Sequence, residues 1–280
     1  MVLLQMEAEQ MKEVIFNGSR IHPDEISLSI SNRAFRYGDA LFETMHLEGG
    51  KVRFLDRHME RMQKGLKAMQ LELPERFDSY PAIIEDYIQN HDLNNGTLRW
   101  QVWRKDGGKY SPSTNGSESL VEFMPWSEIP EEIKLGISNT SNVTYHPLSA
   151  YKTSNALPYV LAGIEKNNSD EYNDLILLDS IGNVSECIAS NIFWSNNKHW
   201  YTPSLETGCV DGIMRNHVLE KMKEAKTPLK IGEYGIEYFL DIQKAFITNS
   251  RGIFLVSVLG ELRLSDHLNL PQELESLRVR

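Results

Sequence analysis

A lysine, a glutamate, an arginine and one glycine turn are the places in this chain where residue type and spacing could do chemistry. Lys152 lies in Ala150-Tyr151-Lys152-Thr153-Ser154-Asn155, after a loop containing Pro147 and before an apolar helical pattern. It is either a lysine drawn into a cleft or an ordinary loop lysine, and lysines are nearly always solvated. Glu186, in Gly182-Asn183-Val184-Ser185-Glu186-Cys187-Ile188, has neighbours that read as a partly buried strand; the alternative is a solvent-facing edge glutamate. Arg61 follows His58 by three residues on a helical pattern and is, on spacing alone, equally a surface helix arginine. Gly208-Cys209-Val210-Asp211-Gly212-Ile213-Met214-Arg215 runs into a helix, and a turn at a helix start exposes free N–H groups that suit an anion. There is no G-x-G-x-x-G, P-loop, H-E-x-x-H, G-x-S-x-G or paired C-x-x-C, which weakens the nucleotide, zinc and serine-hydrolase readings.

The elements that must position these groups can be read from periodicity. Glu13 to Phe16 with Asn17-Gly18 opens a hairpin, and Ala40 to Leu47, Gly49-Gly50 and Lys51 to Phe54 form a second. Leu55, Met59, Met62, Leu66 and Met69 fall on one stripe, which predicts the helix carrying Arg61. Phe77 to His91 reads as helix, and Thr97 to Arg104 and Leu120 to Met124 as strands. Pro125 to Glu132, with two prolines and three acidic residues, reads as a linker. After it come a strand at Lys134 to Ser138, a helix at Leu157 to Asn167, and strands at Asp174 to Asp179, Val184 to Ile188 and Asn191 to Ser195. A helix at Met214 to Ala225, strands at Lys244 to Thr248 and Ile253 to Val258, and a short C-terminal helix complete the pattern. The expected organisation is an N-terminal domain over residues 1–124, a linker over 125–132 and a C-terminal domain over 133–280, with an α/β or α+β arrangement in both halves.

Taken in order, these segments resemble the class IV, or fold type IV, pyridoxal-phosphate enzymes across nearly the whole chain. The motifs are Arg33-Ala34-Phe35-Arg36-Tyr37-Gly38-Asp39-Ala40-Leu41-Phe42-Glu43-Thr44, the H-x-x-R of His58 and Arg61, the Lys152 segment with Asn155, Val184-Ser185-Glu186 through Ser190-Asn191-Ile192-Phe193, Gly212-Ile213-Met214-Arg215, and Thr248-Asn249-Ser250-Arg251-Gly252-Ile253. The resemblance implies a smaller N-terminal α/β domain, a C-terminal domain with a pseudo-barrel sheet and flanking helices, pyridoxal 5'-phosphate as cofactor, and a homodimer. It implies that Lys152 forms the Schiff base and then shuttles a proton, for which it must spend part of its time uncharged. Glu186 would face the pyridine nitrogen, Arg61 would hold the phosphate as a fixed fork, and the N–H groups of Ile213 and Met214 with Ser250 would complete the phosphate cradle.

Within that family the C-terminal motifs look most like aminodeoxychorismate lyases, which implies conversion of 4-amino-4-deoxychorismate into 4-aminobenzoate and pyruvate, a step of folate synthesis. Aminotransferases for D- or branched-chain amino acids are the alternative, and a non-catalytic pyridoxal-phosphate-binding protein is a remote one. Phe42 stands where D-amino-acid aminotransferases carry a tyrosine, and their Arg-x-His pair has no clear match between Trp103 and Ser111. Branched-chain enzymes usually carry Gly-Thr-Ala where this chain has Asn249-Ser250-Arg251. The substrate-contacting candidates are Tyr37, Phe42, Arg104, Lys109, Tyr110 and Arg251, the cations suiting a dicarboxylate amine.

Composition bounds the same picture. With 29 Lys and Arg against 39 Asp and Glu, the net charge of −10 disfavours nucleic acid or an anionic membrane as main partner. Cys187 and Cys209, the two cysteines, are too few for a disulfide framework and are not spaced as zinc ligands, so no metal is expected and a reducing, cytoplasmic compartment is. Met1 to Met11 lacks the pattern of a secretory signal, and no run approaches the length of a membrane span.

Overall fold

Alternating burial along the early strands shows how the first half of the chain folds. In the computed structural model, which describes residues 13–126, 130, 132–264 and 270–279, Val14–Phe16 (β1) and Ser19–Ile21 (β2) pair around Asn17-Gly18, both at positive φ. Ala40–Glu48 (β3) pairs with Lys51–Val52 (β4) around Gly49-Gly50. Gly96–Arg104 (β5) and Ser117–Met124 (β6) complete an antiparallel sheet in the order β2-β1-β6-β5-β3-β4. In β5, Leu98, Trp100 and Val102 are fully buried while Thr97, Arg99 and Gln101 are half-buried, so the strand has one core face and one polar face.

A short helix, Arg33–Tyr37 (α1), enters β3. Leu55–Ala68 (α2) then lays its buried residues His58, Arg61, Met62, Gly65 and Leu66 on the face of β3 that also carries Leu41 and Met45. Gly65 permits this approach: a Cβ there would stand 2.8 Å from Leu41 Cδ1. The helix expected over Phe77 to His91 begins as a single 3-10 turn, Phe77–Ser79, before Tyr80–Asn90 (α3), where Pro81 occupies the first turn.

The second sheet is mixed. Ile133–Asn142 (β7), Asp174–Leu178 (β8), Val184–Cys187 (β9), Asn191–Ser195 (β10), Trp200–Pro203 (β11), Leu229–Gly232 (β12), Lys244–Asn249 (β13) and Gly252–Leu259 (β14) run in the order β12-β11-β10-β13-β14-β7-β8-β9, with Leu262–Arg263 (β15) paired to β14. Its helices are Leu157–Asn167 (α4) and Ile213–Glu224 (α5). The expected C-terminal helix is the 3-10 segment Gln272–Leu277. The core around this sheet includes Leu135, Ile176, Ile192, Trp194 and Val256, all fully buried.

The chain divides into two units: residues up to 128 with Tyr151–Asn155, and 129–150 with Ala156 onward. The division falls inside the expected linker, whose residues 127–129 and 131 lie outside the described residues, as does Met1 to Met11. The lysine segment, expected within 133–280, belongs to the first unit because its backbone pairs with β3. Phe42 N–H donates to Lys152 O at 2.8 Å, Ser154 N–H donates to Ala40 O at 2.9 Å, and Thr153 bridges Leu41.

Candidate active site

In the first unit, β3 sends alternate side chains to opposite faces. Glu43 points toward α2 and is 2 % exposed. Its Oε1 accepts Arg61 Nε at 2.8 Å, its Oε2 accepts Arg61 Nη2 at 2.5 Å, and His58 Nδ1 lies 2.7 Å from Oε2. Burial alone would raise the carboxyl's pKa, but the Arg61 charge and the hydrogen bonds from His58 and Arg61 outweigh it and hold Glu43 at about 2. Arg61 is thus an oriented cation, fixed by two parallel bonds to a buried anion. The H-x-x-R spacing exists because residues three apart on α2 meet the same strand residue.

On the other face of β3, Phe42 carries two cations. Lys152 Nζ is 4.8 Å and the Arg99 guanidinium carbon 4.1 Å from the ring centroid. Arg99 is opposite Thr44 on β3 and Glu122 on β6, and Gln101, opposite Phe42, donates to Ser154 Oγ at 3.3 Å. Burial pulls the Arg99 pKa down while the Glu122 charge pulls it up. Arg99 is a further cation beside Phe42 that the sequence reading does not single out; its signal is the alternation of Thr97, Arg99 and Gln101 with the buried Leu98, Trp100 and Val102.

Arg104, which the resemblance implies as a substrate contact, is 5 % exposed, and its guanidinium donates to Asp39 Oδ2 at 2.9 Å, Asn115 Oδ1 at 2.8 Å and Met69 O at 2.8 Å, with longer bonds to Gln70 O and Thr114 O. A guanidinium with every nitrogen engaged inside the protein is a structural cross-link. Asp39 also takes Arg33 Nε at 2.8 Å, and Arg33 Nη1 donates to Gly107 O at 3.0 Å and Lys109 O at 2.6 Å. These two arginines pin the loop after β5. That loop turns at Gly107 and Gly108, where φ is +130° and +70° and a Cβ would meet Ser113 Oγ at 2.0 Å or Ser111 O at 2.1 Å. The loop presents Lys109 and Tyr110 to solvent, Tyr110 being 91 % exposed with its ring 5.6 Å from that of Tyr37.

In the second unit, Glu186 on β9 is 4 % exposed. Its Oε1 accepts the Tyr159 hydroxyl at 2.7 Å; its Oε2 accepts Val210 N–H at 3.1 Å and Asn191 Nδ2 at 3.3 Å. Asn191 Nδ2 also donates to Val210 O at 2.9 Å, so one side chain ties the carboxylate to the turn that enters α5. Gly212 is the N-cap of α5 with no side-chain cap, and a Cβ there would lie 2.0 Å from Asn191 Oδ1. The first-turn N–H groups of Ile213 and Met214 therefore open beside the Asn191 turn. Thr248 faces Asn191 across the β10–β13 ladder and is 1 % exposed, with a buried hydroxyl that finds no hydrogen-bond partner among the described residues. Ser250 and Arg251 form the turn between β13 and β14, and Asn249 Nδ2 donates to Ser190 Oγ at 3.3 Å. Burial draws the Arg251 pKa down.

The second unit thus brings together Glu186, the Ile213–Met214 helix start and, through Asn191 and Thr248, the Ser250 turn. The first brings together Lys152, Phe42 and Arg99. A carboxylate clamped by three donors suits a cationic ring nitrogen, an uncapped helix start with a spare buried hydroxyl suits a phosphate, and a partly buried lysine suits an aldehyde. The donor sets fit pyridoxal phosphate. Cys187 and Cys209 are buried and unpaired as thiols. Among the described residues no helix is long and apolar enough to cross a membrane.

The chain is similar to proteins of one known family. A model of the class IV amino-transferase family matches residues 40–258. The aminodeoxychorismate lyase of Bacillus subtilis strain 168 is 28 % identical over 85 % of this chain and 83 % of its own. The solved 4-amino-4-deoxychorismate lyase of Pseudomonas aeruginosa superposes with a TM-score of 0.79 at 25 % identity, covering 90 % of this chain and 93 % of that one. The T.th. branched-chain amino acid aminotransferase, complexed with N-(5'-phosphopyridoxyl)-L-glutamate, does so with a TM-score of 0.82 at 19 % identity, covering 94 % and 90 %. With the mixed α/β architecture of fold type IV and a family match spanning most of its length, the chain belongs to the class IV aminotransferases, a family of pyridoxal-phosphate-dependent enzymes.

Proposed function

We propose that this enzyme is a 4-amino-4-deoxychorismate lyase that releases pyruvate and 4-aminobenzoate. The observation that carries its chemistry is the buried Glu186 carboxylate, held by Tyr159, Val210 N–H and Asn191 next to an uncapped helix start. Pyridoxal phosphate, when bound, supplies a carbonyl that captures amines and a pyridine ring that takes up electrons. Glu186 is the anionic partner of the ring nitrogen. The N–H groups of Ile213 and Met214, Ser250 and the Glu43-oriented Arg61 hold the phosphate. Lys152 Nζ would be the covalent anchor and then the base that takes the proton from the amine-bearing carbon; the electron pair left there forms the ring double bond as the neighbouring C–O ether bond breaks, the departing enolpyruvate regains a proton to become pyruvate, and the ring is left aromatic. Arg99, sharing the Phe42 ring with Lys152, binds a substrate carboxylate.

The lyase reading is supported by the two lyases at 25 % and 28 % identity and by Phe42, which offers no phenol. Transamination of amino acids is the second reading, favoured by the superposition of a branched-chain aminotransferase at a TM-score of 0.82 beside 0.79 for the lyase. Incubation with 4-amino-4-deoxychorismate decides between them: equimolar 4-aminobenzoate and pyruvate are expected, while active transfer from amino acids to 2-oxoglutarate without 4-aminobenzoate would overturn the lyase assignment. The enzyme works in the cytoplasm as a homodimer in this reading. Support for a partner comes from α4, where Leu157, Val160, Leu161 and Ile164 form an apolar stripe 43–64 % exposed. Sedimentation as a monomer at micromolar concentration would refute it.

A further inference from the structure

We propose that Tyr159 is a positioning residue of this enzyme, acting through Glu186 to fix the plane of the carboxylate. The proposal rests on the ring-nitrogen role assigned to Glu186 above. A carboxylate on a glutamate side chain rotates freely unless both oxygens are held. Here Oε2 has two long bonds, 3.1 Å from Val210 N–H and 3.3 Å from an Asn191 amide that also serves Val210 O. Oε1 accepts the Tyr159 hydroxyl at 2.7 Å, the shortest of the three. Among these three bonds Tyr159 supplies the tightest constraint on the orientation of the carboxylate.

The tyrosine is itself immobilised. Its ring packs against a buried cluster of Val143, Ala162 and Leu177. Its helix, α4, is bolted to the end of β7 by Glu165, which accepts Ser138 Oγ at 2.6 Å, Thr140 Oγ1 at 2.7 Å and Asn139 N–H at 2.9 Å. Burial and the Glu186 charge both push the Tyr159 pKa up, so the hydroxyl keeps its proton and stays a donor. A hydroxyl placed only to satisfy its own hydrogen bond would need none of this rigidity; one placed to aim a catalytic anion needs all of it.

The test is a double-mutant cycle on holoenzyme with Tyr159→Phe, which keeps the packed ring, and Glu186→Gln. Release of pyridoxal phosphate is followed by loss of its bound absorption band, beside kcat and KM for the amine substrate and the thermal midpoint. Tyr159→Phe alone should release cofactor about tenfold faster and lower kcat about tenfold, with KM and the thermal midpoint near wild type. In the Glu186→Gln background the same change should add less than about twofold. A tenfold effect of Tyr159→Phe in both backgrounds, or none in either, overturns the proposal while the Glu186 assignment stands. A Glu186→Gln enzyme with wild-type spectrum, release rate and kcat overturns that assignment and the proposal with it.

Discussion

Replacing Glu43 by Gln is the sharpest test of how the first unit holds its cation. The carboxylate is fully buried between Arg61 and His58, and its pKa is depressed from 4.5 to about 2. At about 1.4 kcal/mol per pH unit this corresponds to ~3 kcal/mol of stability supplied by the ionised form. The sign follows from the depression: the contribution is complete above pH 4.5, declines as the pH falls, and is gone below about pH 2. The amide keeps the shape but leaves Arg61 buried against a neutral partner. Glu43→Gln should therefore be about 3 kcal/mol less stable than wild type at pH 7, within the cost of breaking a buried pair. In a protein of this size that is a fall of roughly 6–12 °C in Tm. Urea unfolding of both proteins at pH 7, 4 and 2.5 measures the gap, which should shrink to below about 1 kcal/mol at the lowest pH. A gap that stays constant from pH 7 to 2.5 would refute the reasoning, because it would mean that the charge of Glu43 contributes nothing and only its packing matters.

Four further outcomes are expected. Arg104→Met should cost about 3 kcal/mol of stability, since it strands Asp39 with Arg33 alone, yet leave KM unchanged once folded; a raised KM with unaltered Tm would restore Arg104 to the substrate. Arg99→Gln should raise KM for a carboxylate-bearing amine by about 10- to 100-fold with an unaltered cofactor spectrum, corresponding to a charge-assisted bond of ~1.5–3 kcal/mol. Gly212→Ala puts a methyl 2.0 Å from Asn191 Oδ1, on a side chain already committed to Glu186 and Val210, so pyridoxal-phosphate affinity measured by equilibrium dialysis should fall at least tenfold; wild-type affinity would show that the helix start does not hold the phosphate. Lys152→Ala should abolish both lyase and transaminase turnover, and any retained turnover would mean that the amine lies elsewhere.

Glu186→Gln has a structural detail that residue type could not reveal. Its Oε2 faces two donors among the described residues, so the amide oxygen turns to Val210 and Asn191, leaving the NH2 toward Tyr159. Tyr159 must then accept where it now donates. The shape survives only through that reversal.

Sequence alone determined most of the elements, because hydrophobic periodicity is a local signal. The stripe from Leu55 to Met69 predicted α2, and Leu157 to Asn167 coincides with α4 residue for residue. The short elements escaped it. The five-residue α1 and strands β11 and β12 were not recognised, because they are too short for a period to register and are stabilised by their neighbours. The family and its cofactor were legible because a catalytic apparatus constrains residue type at many ordered positions. What the candidate residues touch was not. Arg104 and Arg99 lie five residues apart on one strand and are equal as charges in sequence; only the fold turns Arg104 into Asp39 and the backbone carbonyls of the loop and leaves Arg99 against the ring of Phe42. Glu43 and Arg61 find each other across 18 residues. Tyr159 finds Glu186 across 27. Such partners are chosen by strand register and helix packing over long separations, and only the tertiary structure decides them, because a side chain's charge is written in the sequence while the dielectric and donors around it are assembled by the fold.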